Sequence, residues 1–296
     1  MNKQSDARHY HLMLLPGMLL VFIFSIIPMF GIVIAFQDFN PGLGFLKSSW
    51  IGLSNFRYMF ELPDSKTIFY NTLFISSMKI IANLIVPLLF ALMLNELRLS
   101  LLKRWVQTIV YLPHFLSWVI LSGSIVEILS LNGPVNQVVQ WFANEPILFL
   151  GSNQWFPPII IFSDVWKEFG FGTIIYLAAL TGISPALYEA ARMDGATRIQ
   201  QLMYITLPGI TTTVVLLATL SLGNVLNAGF DQIFNLYNPL VYESGDIIDT
   251  YVYRIGLINT QFGFATAVGL MKSVISFVLI VVSYRLAFKL TNYRIF

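Results

Sequence analysis

The segment Ser184–Pro208, SPALYEAARMDGATRIQQLMYITLP, decides how the rest of the chain is read. It is the most polar continuous stretch between two long apolar ones, and its residues spell two short helices. Ser184 suits an N-cap, and Pro185 suits the first helical position, where the missing N–H is not needed. Ala186–Met193 is rich in good helix formers, and Gly195 supplies the C-terminal stop. Thr197 can cap a second short helix, which Pro208 closes just before the next apolar run. A helix–glycine–helix elbow between two membrane spans is built as a docking surface more readily than as core.

Outward from the elbow, composition sets the class. Of the 296 residues 56% are hydrophobic and only 11% charged, against roughly 25% charged in ordinary soluble domains. Mean hydropathy is +0.73, and several apolar runs approach the length of a membrane span. These features describe an all-α, polytopic membrane protein. With no cysteines, disulfides, thiolate metal sites and cysteine nucleophiles are excluded together. A net charge of +2 gives no reason to expect nucleic acid.

Six spans are expected, at about Leu12–Phe36, Asn71–Leu94, Val106–Leu129, Phe156–Leu180, Gly209–Phe234 and Gly263–Phe288. The first is too long for a signal-peptide core and has no small-residue cleavage site. Pro28 is expected to kink the first, Pro87 lies near the middle of the second, and Pro113 interrupts the third. The loop from Gln37 to Ile68 carries Phe45, Trp50, Phe56 and Tyr58, which fit an interfacial segment. The expected division is 1–69 (tail, first span and outer loop), 70–290 (five-span core) and 291–296 (tail).

Lys and Arg set the orientation. With the N-terminus inside, the inner segments hold Lys3, Arg8, Arg98, Lys103, Arg104, Arg192, Arg198, Arg285, Lys289 and Arg294. The outer loops hold only Lys47, Arg57, Lys66 and Arg254. Both termini and the elbow are then cytoplasmic.

The elbow also matches a known pattern. Glu189-Ala190-Ala191, three residues, Gly195, nine residues and Ile205-Thr206-Leu207-Pro208 resembles the EAA loop of permease subunits in ABC importers. The likeness extends along most of the chain, to TNYRIF at Thr291–Phe296. YLPHFLSWVI (Tyr111–Ile120) and IDTYVYRIGL (Ile248–Leu257) narrow it to permeases for oligosaccharides, such as those for maltose, alginate and complex-polysaccharide fragments. The resemblance implies a type I ABC importer permease fold in a bacterial inner membrane, with the first span outside a five-span core. It implies as partners a second, homologous permease, two cytoplasmic ABC ATPases and an extracytoplasmic solute-binding protein. ATP and Mg would be bound by the ATPase; this chain has no G-x-x-x-x-G-K-[ST] of its own. It further implies that Glu189, Ala190, Ala191, Asp194, Gly195, Ile205, Leu207 and Pro208 form the coupling surface. Glu189 would offer a carboxylate to an arginine of the ATPase, or serve its own helix through the dipole. Ala190 and Ala191 keep the helix slim enough for a groove.

Ionisable residues inside a membrane are costly and face a cavity or a partner. In the fourth span Asp164, Lys167, Glu168 and Phe171 fall at i, i+3, i+4 and i+7, one helical face, with Trp166 on a neighbouring line. They read as a sugar path, or as internal pairing of Asp164 with Lys167 and Glu168. Permeases of the resembled family contact sugar from the span before the elbow. Ser221, Asn224, Asn227 and Asp231 form a polar line on the fifth span, either path or interhelical glue. Ser117 and Trp118 are weaker path candidates. Lys79 and Lys272 are each possible partners of Glu127. His114, after Pro113, reads as a hydrogen-bonded polar residue at a kink. No histidine cluster or catalytic spacing is present, so neither a metal site nor a catalytic group is expected. The alternative class is an ion- or proton-coupled secondary carrier using Glu127, Asp164 and Lys167.

Overall fold

The structure is a computed structural model that describes residues 3–97, 99–143 and 145–291. Arg98, Arg294 and the tail 292–296 lie outside it, as do the side chains of Lys3, Arg8, His9 and Lys289. Its regular structure is helical apart from one hairpin of two two-residue strands. It divides into two compact units: the chain up to Leu62 with Val252–Met271, and Pro63–Tyr251 with the chain from Lys272 onward.

The first unit begins with α1 (Lys3–Val21), continued by a π turn at Phe22–Ile26, helix at Ile27–Met29 and a 3-10 stretch at Phe30–Phe36. The π turn ends two residues before Pro28. Proline withholds the N–H owed to the carbonyl four residues back and crowds that carbonyl, so a widened turn there relieves both problems. The candidate span Tyr10–Phe36 therefore bends without breaking. Strands β1 (Gln37–Asp38) and β2 (Ser49–Trp50) pair antiparallel, Gln37 with Trp50 and Asp38 with Ser49. Gln37 is buried and its amide donates to the Phe45 carbonyl at 2.9 Å, closing the hairpin. Leu46, Trp50 and Leu53 stay exposed around it, as an interfacial segment requires. Helix α2 (Ser54–Glu61) completes this part, and Tyr58 meets Phe264 edge to face at 5.3 Å.

The second unit is organised around α3 (Pro63–Glu96) and α6 (Phe156–Thr181). Between them come α4 (Ser100–Tyr111), a 3-10 turn at Leu112–Phe115 and α5 (Trp118–Leu129). The third span is therefore not continuous from Val106 to Leu129: Pro113 ends one helix, and Ser117, extended, caps the next through Ile120 N–H at 3.4 Å. The helical stretch long and apolar enough to cross is Trp118–Val139. Gly170 of α6 lies against the Val110 backbone, where a Cβ would fall 2.7 Å from the carbonyl carbon. Tyr176 is buried between α6 and α3 and donates to the Leu84 carbonyl at 3.1 Å, close to the carbonyl that Pro87 leaves without its helical donor.

After α6 the chain turns by 66° into α7 (Pro185–Met193), then α8 (Arg198–Gln201) and α9 (Leu207–Leu222). A second π turn, Leu202–Thr206, again ends two residues before a proline, Pro208. The fifth span does not reach Phe234 as helix. It stops at Leu222, loosens into turns, and resumes as α10 (Phe230–Leu236) after Gly229, whose φ is +93°. Helices α11 (Ile248–Tyr253) and α12 (Phe262–Thr291) follow. An apolar core of Ile75, Phe156, Ile160, Ala228, Ile233 and Leu236 joins α3, α6 and α10. Among the described residues five helices are long and apolar enough to cross a membrane, and the count reaches the expected six when the bent pair α6–α7 is taken as one span.

Candidate coupling elbow and intramembrane polar cluster

The elbow is built by local chemistry. Helix α7 ends in a pair of closing hydrogen bonds, Ala196 N–H to the Ala191 carbonyl at 2.8 Å and Gly195 N–H to the Arg192 carbonyl at 3.1 Å. That closure requires a left-handed residue, and Gly195 provides it with φ +80°. Thr197 then starts α8 with a reciprocal cap: Gln200 N–H reaches its hydroxyl at 3.4 Å, and the Gln200 side chain accepts from Thr197 N–H at 2.7 Å. Ser184 holds the N-cap position of α7 without a side-chain cap. Tyr188 and Thr206 bridge the two arms. Gly209 tucks against Ile183, where a Cβ would come within 2.7 Å of Cδ1.

Of the expected coupling residues, Glu189, Ala190, Asp194, Gly195 and Pro208 are exposed, and Ala191, Ile205 and Leu207 are half-buried. Around them Leu187, Met193, Ile199 and Tyr204 also face outward, Met193 with 88% of its surface open. Exposed apolar side chains beside the carboxylates of Glu189 and Asp194 give a mixed surface suited to an interface.

The fourth-span face is divided by the structure. Asp164 does not pair with Lys167. Its carboxylate meets Lys79 of α3 at 3.2 Å and accepts from Asn83 at 2.9 Å. Lys167 instead pairs with Glu168 at 2.8 Å and donates to the His114 carbonyl at 3.0 Å. His114 Nδ1 lies 2.7 Å from the other Glu168 oxygen, and its ring stacks on Phe171 at 4.2 Å with planes 6° apart. Lys167 Nζ also stands 5.7 Å from the Trp118 ring centre. The broken third span thus delivers His114 and Trp118 to α6, and His114 is the hydrogen-bonded residue at a kink that its position after Pro113 indicated. Phe171 and Trp166 remain substantially exposed.

The polar line on the fifth span does not exist as a helical face. Ser221 lies in the last turn of α9, Asn224 and Asn227 in the non-helical segment between the helices, and Asp231 in the first turn of α10. The helical spacing was carried through a glycine that stops the helix. Neither lysine pairs with Glu127: Lys79 takes Asp164, and Lys272 takes Asp249 of α11 at 2.5 Å. Gln232, buried and joined to Lys79, was not anticipated; a lone amide near the end of an expected span carries no periodic signal.

Residues 83–292 match the family described as binding-protein-dependent transport system inner membrane component. The chain belongs to this family. It is 43% identical over 288 residues, 97% of this chain and 90% of the relative, to the polygalacturonan/rhamnogalacturonan transport system permease protein YteP of Bacillus subtilis. It is 42% identical to protein LplB of the same organism, over 91% of this chain and 85% of the relative. A crystal structure of a bacterial ABC transporter involved in the import of the acidic polysaccharide alginate aligns with a TM-score of 0.90 and 40% identity, over 97% of each chain. This family member is accordingly a multi-pass bacterial inner-membrane transport subunit of all-α, ABC-importer permease fold.

Proposed function

We propose that this permease is one half of the pore of an ATP-driven importer that takes up an oligosaccharide released from a complex polysaccharide. The observation that carries the coupling is the elbow: α7, turned at Gly195 into the capped α8, presents Glu189 among exposed apolar side chains between two spans. The substrate class is supported by the relatives named for polygalacturonan/rhamnogalacturonan and alginate transport. In this reading Glu189 meets an arginine of a cytoplasmic ATPase, Ala190 and Ala191 let α7 enter its groove, and ATP and Mg reside in that partner.

Both termini and the elbow are placed in the cytoplasm, as the lysine and arginine distribution favours. The division into residues 1–69, 70–290 and 291–296 goes with this placement. A second, homologous permease, two ATPase copies and an extracytoplasmic binding protein complete the machine; a structure of the alginate transporter is described as in complex with a pentasaccharide-bound periplasmic protein. Sugar passes by Ser117, Trp118, Lys167, Glu168 and Phe171. Trp118 and Phe171 supply ring faces, while Asn224, Asn227 and Asp231 offer exposed polar groups from the fifth-span break. Asp164, engaged by Lys79 and Asn83, supports this path from behind.

Uptake of labelled oligogalacturonate in membrane vesicles tests the reading. Transport that requires ATP and survives an uncoupler supports it; transport that collapses with the uncoupler and ignores ATP would instead assign an ion-coupled carrier.

A further inference from the structure

Lys79 belongs to neither the elbow nor the exposed path, yet its ammonium sits in a fully built polar site. Its side chain is 7% exposed, and its ammonium has three protons to place. One goes to the Ala228 carbonyl at 2.7 Å, one to the Gln232 side-chain oxygen, and one faces Asp164 Oδ1 at 3.2 Å. The acceptors are themselves fixed. Gln232 donates to the Ile160 carbonyl and to Ser163 Oγ, both at 2.8 Å, and Asp164 is held by Asn83. Less than one turn before Lys79 on the same helix, Ser76 donates to the Val225 carbonyl. Gly229 brings the backbone so near that a Cβ there would sit 3.0 Å from Nζ.

The two anchored carbonyls, Val225 and Ala228, both belong to the break between α9 and α10. Inside a membrane such unwound carbonyls need partners, and in broken transporter helices they commonly coordinate a small cation. A backbone carbonyl, an amide oxygen and a carboxylate make an oxygen set suited to a hard cation. Here the ammonium on α3 fills that set. Ion pairing with Asp164 alone would not require the carbonyl or the amide, and a buried ion pair by itself is weak evidence for stability. The carbonyl contact is what ties the lysine to the position of the break.

We propose that Lys79 is a positioning residue that acts as a tethered cation: its ammonium takes the place of a free ion and fixes the unwound segment 223–229, with its exposed Asn224 and Asn227. The inference rests on this geometry and not on the identity of the sugar.

The absence of cysteine allows a direct test. Asn227→Cys is made in the full chain, co-expressed with its partner subunits, and its reaction with a water-soluble maleimide is timed in opened membranes. Adding Lys79→Ala should raise the labelling rate by about tenfold, because the segment loses its anchor. Sodium or methylammonium should restore the slow rate by entering the vacated oxygen set; choline, too large for it, should not. The rate with Lys79 present should ignore all three. An unchanged rate on Lys79→Ala, or a raised rate that no small cation lowers, overturns the proposal. Should Lys79→Ala fail to reach the membrane, Lys79→Met with Asp164→Leu leaves no uncompensated charge. Fast labelling in that pair supports the tethered cation, and labelling at the original slow rate overturns it.

Discussion

Tyr188 and Thr206 share a hydrogen bond of 2.9 Å between their hydroxyl groups, and it closes the elbow across its two arms, 18 residues apart in the chain. Thr206 is buried and its hydroxyl also donates to the Gln201 carbonyl at 3.3 Å. Helix α7 is therefore tied to the start of the fifth span. Tyr188→Phe should remove about 1 kcal/mol of this closure. Amide hydrogen exchange checks it: faster exchange over Ala186–Thr206, with the spans on either side unchanged, is the expected result.

Gly195 separates backbone strain from crowding. Nothing lies within 4 Å of a Cβ built there, but φ is +80°. Gly195→Val should cost about 1–3 kcal/mol through strain alone and misdirect the elbow. Gly195→Asn, which tolerates the left-handed region, should keep most function. ATPase copurification with each variant measures the difference.

Gly170 makes the opposite case. Its conformation is ordinary helix, but a Cβ would fall 2.9 Å from Val110 Cγ1 and closer still to the Val110 carbonyl. Gly170→Ala should therefore cost about 1–3 kcal/mol by forcing α4 from α6, whereas Gly123→Ala, with open space around it, should be neutral or slightly stabilising. Thermal unfolding of the purified complexes compares them.

The two halves of the fourth-span face should respond differently to mutation. Asp164→Asn leaves Lys79 buried with its charge unmatched, a loss of about 3–5 kcal/mol, and should lower the yield of assembled transporter. Phe171→Ala removes a half-exposed ring stacked on His114 and should leave assembly intact while reducing uptake. Size-exclusion recovery and uptake, measured on both variants, separate packing from path.

What was legible in the sequence follows from the range of the interactions. The start and bend of the elbow could be read because Pro185, Gly195 and Thr197 act on their own neighbours, and the bonds that end α7 and cap α8 span five residues or fewer. Pro208 does not close α8, which runs on through the π turn into α9. Six spans could be read because lipid demands long apolar helices. The pairing of Asp164 could not: Asn83 and Asp164 lie 81 residues apart, and only the packing of α3 on α6 decides that Lys79, not Lys167, is within reach. The polar line through Ser221, Asn224, Asn227 and Asp231 failed because periodicity was extended across Gly223, where the helix ends. Pro113 announced a kink, but the full break that carries His114 and Trp118 to α6 depends on Ser117 starting a new helix.

Glu189→Lys tests the central claim most directly. It changes one exposed side chain on α7, so the chain should insert normally, while a cation placed against the arginine proposed on the ATPase costs several kcal/mol at a desolvated interface. The measurement is ATPase copurification together with ATP-driven oligosaccharide uptake. Loss of both by more than about tenfold, with normal amounts of permease in the membrane, is the predicted result. Full uptake with normal ATPase recovery would contradict the account, because the elbow would not then be the coupling element.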